Sequence, residues 1–304
     1  MTRNDLILLD GGTGRELARR GAPFRQPEWS ALALIEAPAF VAEVHRAYVD
    51  AGADVITTNS YAVVPFHIGE ARFAEQGREL ADLAGRLARE TANAAGRPVA
   101  VAGSLPPVCG SYRADLFDPA AAAPILDALI AGLAPHVDHW QAETLSAIEE
   151  AKLVRARLGD DSRPLWLSFT LRDGPDASAT PRLRSGQSVA QAVSAAIDLG
   201  AAAILFNCSQ PEVMAGAVEV ARRALDAADA AIRIGVYANA FPPQTAEAEA
   251  NSGLDPIRED LTPEGYLAFA RAWRDRGAEI IGGCCGIGPE HIAALKAGLG
   301  RPTP

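Results

Sequence analysis

Lysine is nearly missing from this chain. Of 28 basic residues only Lys152 and Lys296 are lysine, and against them stand 38 acidic residues, for a formal net charge of −10. That balance argues against nucleic acid or an anionic membrane surface as a partner. Aromatic residues are scarce at 6%, so few rings are on hand to bind a cation. Four cysteines are too few for a disulfide scaffold and suit a reducing cytoplasm. No stretch of about 18 apolar residues runs free of charges and breakers, so no membrane span is expected. The opening residues Met1 to Asp5 lead into an apolar run that Asp10 interrupts, which is unlike a signal peptide. The five histidines (His45, His67, His136, His139 and His291) include no His-x-His pair, which disfavours a hydrolytic metal barrel. His139 and His291 read as packing or capping residues. The glycines after Asp10 miss the Gly-x-Gly-x-x-Gly spacing of a dinucleotide site, and no P-loop lysine follows.

What is present is an alternation. Short apolar runs fall at Leu6 to Asp10, Asp54 to Thr58, Val99 to Gly103, His139 to Glu143, Leu165 to Thr170, Ala203 to Asn207, Arg233 to Tyr237 and Glu279 to Gly282. Amphipathic stretches near 38–50, 67–94, 119–134, 145–158, 187–199, 211–226, 263–276 and 289–299 separate or follow them. Apolar strands joined by helices of this length predict a parallel sheet with crossover helices. Eight such units in 304 residues fit a single-domain (β/α)8 TIM barrel over 1–304; an open doubly wound sheet is the competitor. Gly52, Gly200 and Gly277 mark helix ends, and Pro211-Glu212 and Pro289-Glu290 mark helix starts. Arg172 to Gln187 and Phe241 to Asp260 are polar and breaker-rich. Both follow strands, which makes them long loops at the carboxyl rim, where barrels keep their sites.

Cys208 directly follows the sixth strand, and Cys284 and Cys285 directly follow the eighth. A closed barrel brings both ends to one rim. Three thiolates suit zinc, and three protein ligands leave one position open, as in a catalytic site. Adjacent cysteines on extended backbone point oppositely, but Gly282, Gly283 and Gly286 permit the sharp turn that aims both at one ion. A redox dithiol, or three inert thiols, remain the other readings of this spacing. Cys109, in a Pro-Pro-Val-Cys-Gly loop, reads as a non-ligand. Zinc held by three thiolates is electron-rich, a poor activator of water but a good holder of a substrate thiol, which points to thiol alkylation.

Further segments carry a resemblance: Asp10-Gly11-Gly12-Thr13-Gly14-Arg15-Glu16-Leu17, Thr58-Asn59-Ser60-Tyr61, Gly103-Ser104-Leu105-Pro106-Pro107, Glu143-Thr144, Asn207-Cys208-Ser209-Gln210-Pro211, Tyr237-Ala238-Asn239 and Gly282-Gly283-Cys284-Cys285-Gly286 through Ile292. In that order the chain resembles the homocysteine S-methyltransferase family over nearly its whole length, the last segment being the most specific. The resemblance implies a TIM barrel whose zinc (Zn2+) is held by Cys208, Cys284 and Cys285, with homocysteine as the fourth ligand. It implies that Asp10 and Glu143 meet the substrate ammonium, that the main chain at Gly11 and Gly12 approaches the amino acid closely, and that Ser60 is a candidate for its carboxylate. Asn239 is a candidate to hold the open zinc position in the resting enzyme.

The expected reaction is methyl transfer to the homocysteine thiolate from a small methyl-donor cation, giving methionine. S-methylmethionine or S-adenosylmethionine is the expected donor; betaine, another onium compound, a different thiol acceptor and a non-catalytic zinc- or thiol-binding role are the alternatives. The loop from Gly103 to Arg113 departs from the Gly-Pro-Tyr-Gly pattern of S-methylmethionine enzymes. The rings available for a cation are Phe24, Tyr61, Tyr112, Trp140 and Phe169.

Overall fold

In the computed structural model, which describes residues 6–174, 177, 179–243 and 256–299, eight parallel strands form one ring. They are β1 (Ile7–Leu8), β2 (Val55–Thr57), β3 (Ala100–Leu105), β4 (His139–Leu145), β5 (Leu165–Phe169), β6 (Ala203–Asn207), β7 (Arg233–Tyr237) and β8 (Ile280–Ile281). Their spatial order follows the chain, β2 through β8, and then returns to β1. The ring closes because β1 bonds on both sides. Ile7 and Leu9 donate to the carbonyls of Glu279 and Ile281 (both 2.9 Å), while Asp54 and Asp10 link to Leu8 and Val55 (2.7 and 3.0 Å). An open doubly wound sheet ends in two edge strands, whereas here each strand is paired on both sides, so the fold is the (β/α)8 barrel.

The pleat divides the apolar residues into two cores, because alternate side chains of a strand face opposite ways. Ile7, Leu9, Val55, Ala102, Trp166, Leu205 and Ile280 fill the barrel. Leu8, Ile56, Val101, Ile204, Phe206 and Ile281 face the surrounding helices. The stacking of His139 on Trp166, with centroids 4.1 Å apart, plugs the amino-terminal end of the barrel. The polar and ionisable interior residues of β4, Gln141 and Glu143, then lie progressively nearer the carboxyl rim.

Helix boundaries follow the local chemistry. Helices Pro38–Ala51, Pro119–Leu133, Pro211–Ala227, Pro263–Asp275 and Pro289–Gly298 each begin with proline, where its missing N–H costs nothing. Gly52 ends the first of these in left-handed backbone. His291 caps the last helix, its Nδ1 accepting from Gly288 N (3.2 Å). The stretch 67–94 is two helices, Pro65–Ile68 and Glu70–Asn93, because Gly69 between them takes φ 81. The helix expected from 145 begins at Ile148, since Leu145 still belongs to β4. Thr13–Arg19 and Ser30–Glu36 are additional helices; seven residues are too few for a helical period to stand out in sequence. The loop from Arg172 is pinned by antiparallel bridges Leu171↔Leu183 and Arg182↔Ser188. The loop expected from Phe241 to Asp260 falls partly outside the described residues. Among those described, no helix is long and apolar enough to cross a membrane.

Candidate active site

The carboxyl rim surrounds a cavity walled by Asp10, Gly11, Gly12, Thr57, Tyr61, Tyr112, Glu143, Thr144, Cys208, Tyr237, Cys284 and Cys285, with Trp29, His67 and Phe241 also lining it. Strands far apart in sequence deliver these side chains to one place. Cys208, Cys284 and Cys285 have sulfurs within 4.8 Å of one another, the only such grouping of potential metal ligands among the described residues. The Cys208 and Cys284 sulfurs are 3.0 Å apart. Cys109 stands apart, its thiol directed to Asp118 O at 3.8 Å.

Backbone strain concentrates here. Of the five described non-glycine residues with positive φ, namely Trp29, Tyr112, Thr144, Cys208 and Asp229, all but Asp229 line the cavity. Such conformations cost on the order of 1–3 kcal/mol each and persist only where the surroundings enforce them. For Thr144 the enforcement is visible. Its N–H donates to Asn207 Oδ1 (3.0 Å), and Asn207 Nδ2 donates to its hydroxyl (2.9 Å). One asparagine thereby locks the ends of β4 and β6 together, fixing Glu143 and Cys208, the neighbours of the locked pair.

The thiols share protons. Hydrogen bonds from Cys284 and Cys285 hold the Cys208 thiol well below its ordinary range. The bonds to Cys208 push Cys284 and Cys285 well up. The thiolate form is thus favoured most at Cys208, the most buried of the three, and a bound cation would favour the thiolate of all three. The donor set fits a soft divalent metal. Tetrahedral metal–thiolate bonds of about 2.3 Å set neighbouring sulfurs roughly 3.8 Å apart, within the span of this cluster and a little wider than the Cys208–Cys284 pair.

Two carboxyl groups face the same space. Asp10 accepts from Thr57 N (2.7 Å) and Thr57 Oγ1 (3.0 Å). Glu143 accepts from Ser104 Oγ and from Tyr237 OH (3.3 Å). Burial raises both to about 7, against the opposing pull of these hydrogen bonds. Gly12 is wedged against the turn that carries Cys284 and Cys285: a Cβ there would fall 2.5 Å from Cys284 O and 2.9 Å from Cys285 Cα. At Gly11 a Cβ would meet Ile287 O at 2.2 Å.

Two residues singled out in sequence lie behind the wall. The Ser60 hydroxyl donates to Ser104 O (2.9 Å) and sits 2.9 Å from Thr58 Oγ1. It is wholly buried and does not line the cavity, whose surface at this level is Thr58, Asn59 and Tyr61. The hydroxyl is thus committed to the fold and is not displayed to a ligand. Asn239 is also fully buried. Its Oδ1 accepts from Phe241 N (3.3 Å) and its Nδ2 has no partner within hydrogen-bonding geometry, yet its side chain is close enough to help depress Cys208.

Of the rings named as cation binders, Tyr61 and Tyr112 line the cavity. Phe169 and Trp140 are buried in the core, Trp140 under Arg163, and Phe24 packs edge-on behind Trp29 at 5.6 Å. Trp29 and Phe241 were not legible as site residues, because no periodicity or motif marks a loop ring that turns inward.

Comparison with known proteins agrees with this geometry. The sequence is 30% identical to the homocysteine S-methyltransferase of Escherichia coli (strain K12), covering 98% of this chain and 96% of that protein. It is 27% identical to a selenocysteine methyltransferase of Astragalus bisulcatus, with coverage of 95% and 90%. The fold superposes on the metallated crystal form of the homocysteine methyltransferase MmuM from Escherichia coli with a TM-score of 0.74, 29% identity and 96% of each chain covered. The profile of the homocysteine S-methyltransferase family matches residues 7–299, the first strand of the ring through the last helix, and the chain belongs to that family.

Proposed function

We propose that the protein is a zinc-dependent homocysteine S-methyltransferase that moves a methyl group from a sulfonium donor to the homocysteine thiol, giving methionine. The observation that carries this is the thiol trio facing two buried carboxyl groups across one cavity. Zinc held by Cys208, Cys284 and Cys285 supplies an open position at which a substrate thiol loses its proton while staying nucleophilic. Asp10 and Glu143 take the substrate ammonium, orienting the sulfur. Gly11 and Gly12 allow the amino acid to lie against the main chain. The Asn239 side chain, next to Cys208, would be the residue to hold the open position when no substrate is bound. In the transfer a sulfur–carbon bond forms as the donor's carbon–sulfur bond breaks in line, and the bonding pair leaves with the donor sulfur. Both charges disappear, so a dry aromatic wall favours the step. Tyr61, Tyr112, Trp29 and Phe241 form that wall; Tyr112 and Phe241 already carry Arg184 and Arg15 on a face, which leaves Tyr61 and Trp29 as the rings for an onium methyl. Free thiols at metal-binding distance suit a reducing compartment such as the cytoplasm.

The test is methionine formation by zinc-loaded protein and homocysteine, without cobalamin, with S-methylmethionine, S-adenosylmethionine, betaine and dimethylsulfoniopropionate in parallel. Turnover with a sulfonium donor is expected. Turnover with betaine alone would overturn the donor class and keep the thiol chemistry. Homocysteine binding without turnover on any donor would replace catalysis with a different acceptor or a binding role.

A further inference from the structure

Tyr112 stands beside the thiols without a part in binding the amino acid. Its φ of 68 is unusual for a bulky side chain, so something must hold it there. Its hydroxyl lies 3.0 Å from Cys208 Sγ. The Arg184 guanidinium covers its ring, 5.0 Å from the centroid. Arg184 in turn pairs with Asp173 at 2.9 Å, with side chains only 5% and 0% exposed. The other Asp173 oxygen accepts from Gln210 N at 3.0 Å, two residues beyond Cys208. A circuit therefore runs from the Cys208 sulfur through Tyr112, Arg184 and Asp173 back to the segment that carries Cys208, joining the loops after β3, β5 and β6.

A buried ion pair is a weak source of stability, because desolvation offsets much of the attraction. Its value here is geometric. We propose that Arg184 is a positioning residue for methyl transfer: anchored by Asp173 and stacked on Tyr112, it aims the phenol O–H at the metal-binding sulfur of Cys208. A thiolate accepts only, so the phenol is the donor in the metal-loaded protein. A hydrogen bond to a ligand sulfur withdraws electron density from it. That sulfur becomes a poorer nucleophile than the substrate's, and the metal it binds becomes a better acceptor for the substrate thiol. The cation over the ring strengthens the phenol as donor. The circuit thus helps direct the methyl group to the substrate and away from the enzyme's own cysteine.

This inference rests on the metal-thiolate reading above, and cobalt separates the two. In protein loaded with cobalt(II), the thiolate-to-cobalt charge-transfer band reports electron density on the ligand sulfurs. Arg184→Gln is expected to move the band to longer wavelength. Tyr112→Phe should move it equally, and the double variant no further, as expected of residues acting through one contact. Arg184→Lys, which keeps the charge but cannot lie flat on the ring, should give part of the shift. Exposure to methyl iodide should then methylate Cys208 faster in Arg184→Gln than in wild type, read by peptide mass. A wild-type band and wild-type Cys208 methylation in cobalt-loaded Arg184→Gln would overturn the proposal. If that variant does not fold, a wild-type band in Arg184→Lys does the same. Failure of the wild-type protein to bind cobalt through sulfur would instead overturn the metal reading, and this inference with it.

Discussion

Gly12 and Cys284 touch so closely that a single methyl group would not fit between them: a Cβ on Gly12 would stand 2.5 Å from the Cys284 carbonyl oxygen. Backbone atoms cannot rotate away as a side-chain tip can, so the turn bearing Cys284 and Cys285 must move. Gly12→Ala is expected to weaken metal binding by about 10-fold or more while the barrel still folds. Competition against a chelator of known affinity measures this; unchanged affinity would show that the contact does not shape the metal site.

Cys208→Ala, Cys284→Ala and Cys285→Ala should each remove most of the metal and nearly all turnover, because two remaining thiolates and water make a poor site for a soft ion. Cys109→Ala should retain both, since its thiol lies outside the trio. Metal analysis of the purified variants decides, and full metal content in Cys208→Ala would refute the ligand assignment.

Homocysteine should enter the zinc coordination sphere through sulfur. X-ray absorption at the zinc edge is expected to gain one sulfur neighbour on addition of substrate. A spectrum unchanged at saturating homocysteine would rule out thiol activation by the metal.

Glu143→Gln keeps the shape of the side chain and removes its charge. Homocysteine binding should weaken by about 1.5–3 kcal/mol, roughly 10- to 100-fold, the scale of a hydrogen bond to a charged group. Metal content should stay intact. Loss of metal along with binding would make Glu143 part of the metal site itself.

The raised carboxyl groups give the reaction a pH signature. Burial lifts Asp10 and Glu143 to about 7 from ordinary values of 3.8 and 4.5. Only the ionised forms pair with the substrate ammonium, so the KM for homocysteine should fall as pH rises through about 7 and level off above it. The two groups interact, and the midpoints belong to the pair. The substrate-free protein should show the opposite trend in stability. Between about pH 4 and 7 the unfolded chain has released protons that the folded site retains, so unfolding becomes easier as pH rises. Kinetic and thermal-melt profiles over this range test both signs; a KM independent of pH would exclude the carboxylates from ammonium binding.

Much of this was legible in the residues. β4 through β7 begin where the sequence pattern places them, because short buried runs stand out between longer amphipathic stretches, and Pro164 marks the start of β5. The cluster of three cysteines was legible because the sequence places them just after strands, and a barrel fixes where strand ends go. Tyr112 could be named as a ring near the donor, but its contact with Cys208 and its partner Arg184 lie on separate loops. Loop conformation depends on tertiary contacts that no periodicity records. The Thr144–Asn207 lock was hidden for a similar reason: an asparagine at the end of a strand shows no partner until the neighbouring strands are known. Ser60 is the reverse case, a residue in a suggestive motif whose hydroxyl is hydrogen-bonded to Ser104 O behind the cavity wall.

The seam between β1 and β8 has a consequence for biosynthesis. Asp10 leaves β1, Cys284 and Cys285 leave β8, and each of these strands is two residues long. On a ribosome, β1 emerges early and waits through six further strands before its second neighbour, β8, exists. Until then the nascent chain can offer a metal no more than Cys109 and Cys208, and the complete trio forms only when the final strand docks. A metal held by the trio would therefore load only after β8 docks, tying β6 to β8 across β7. Cells short of the metal would then accumulate chains whose last strand parts more readily from the ring, with degradation rather than inactivity as the outcome.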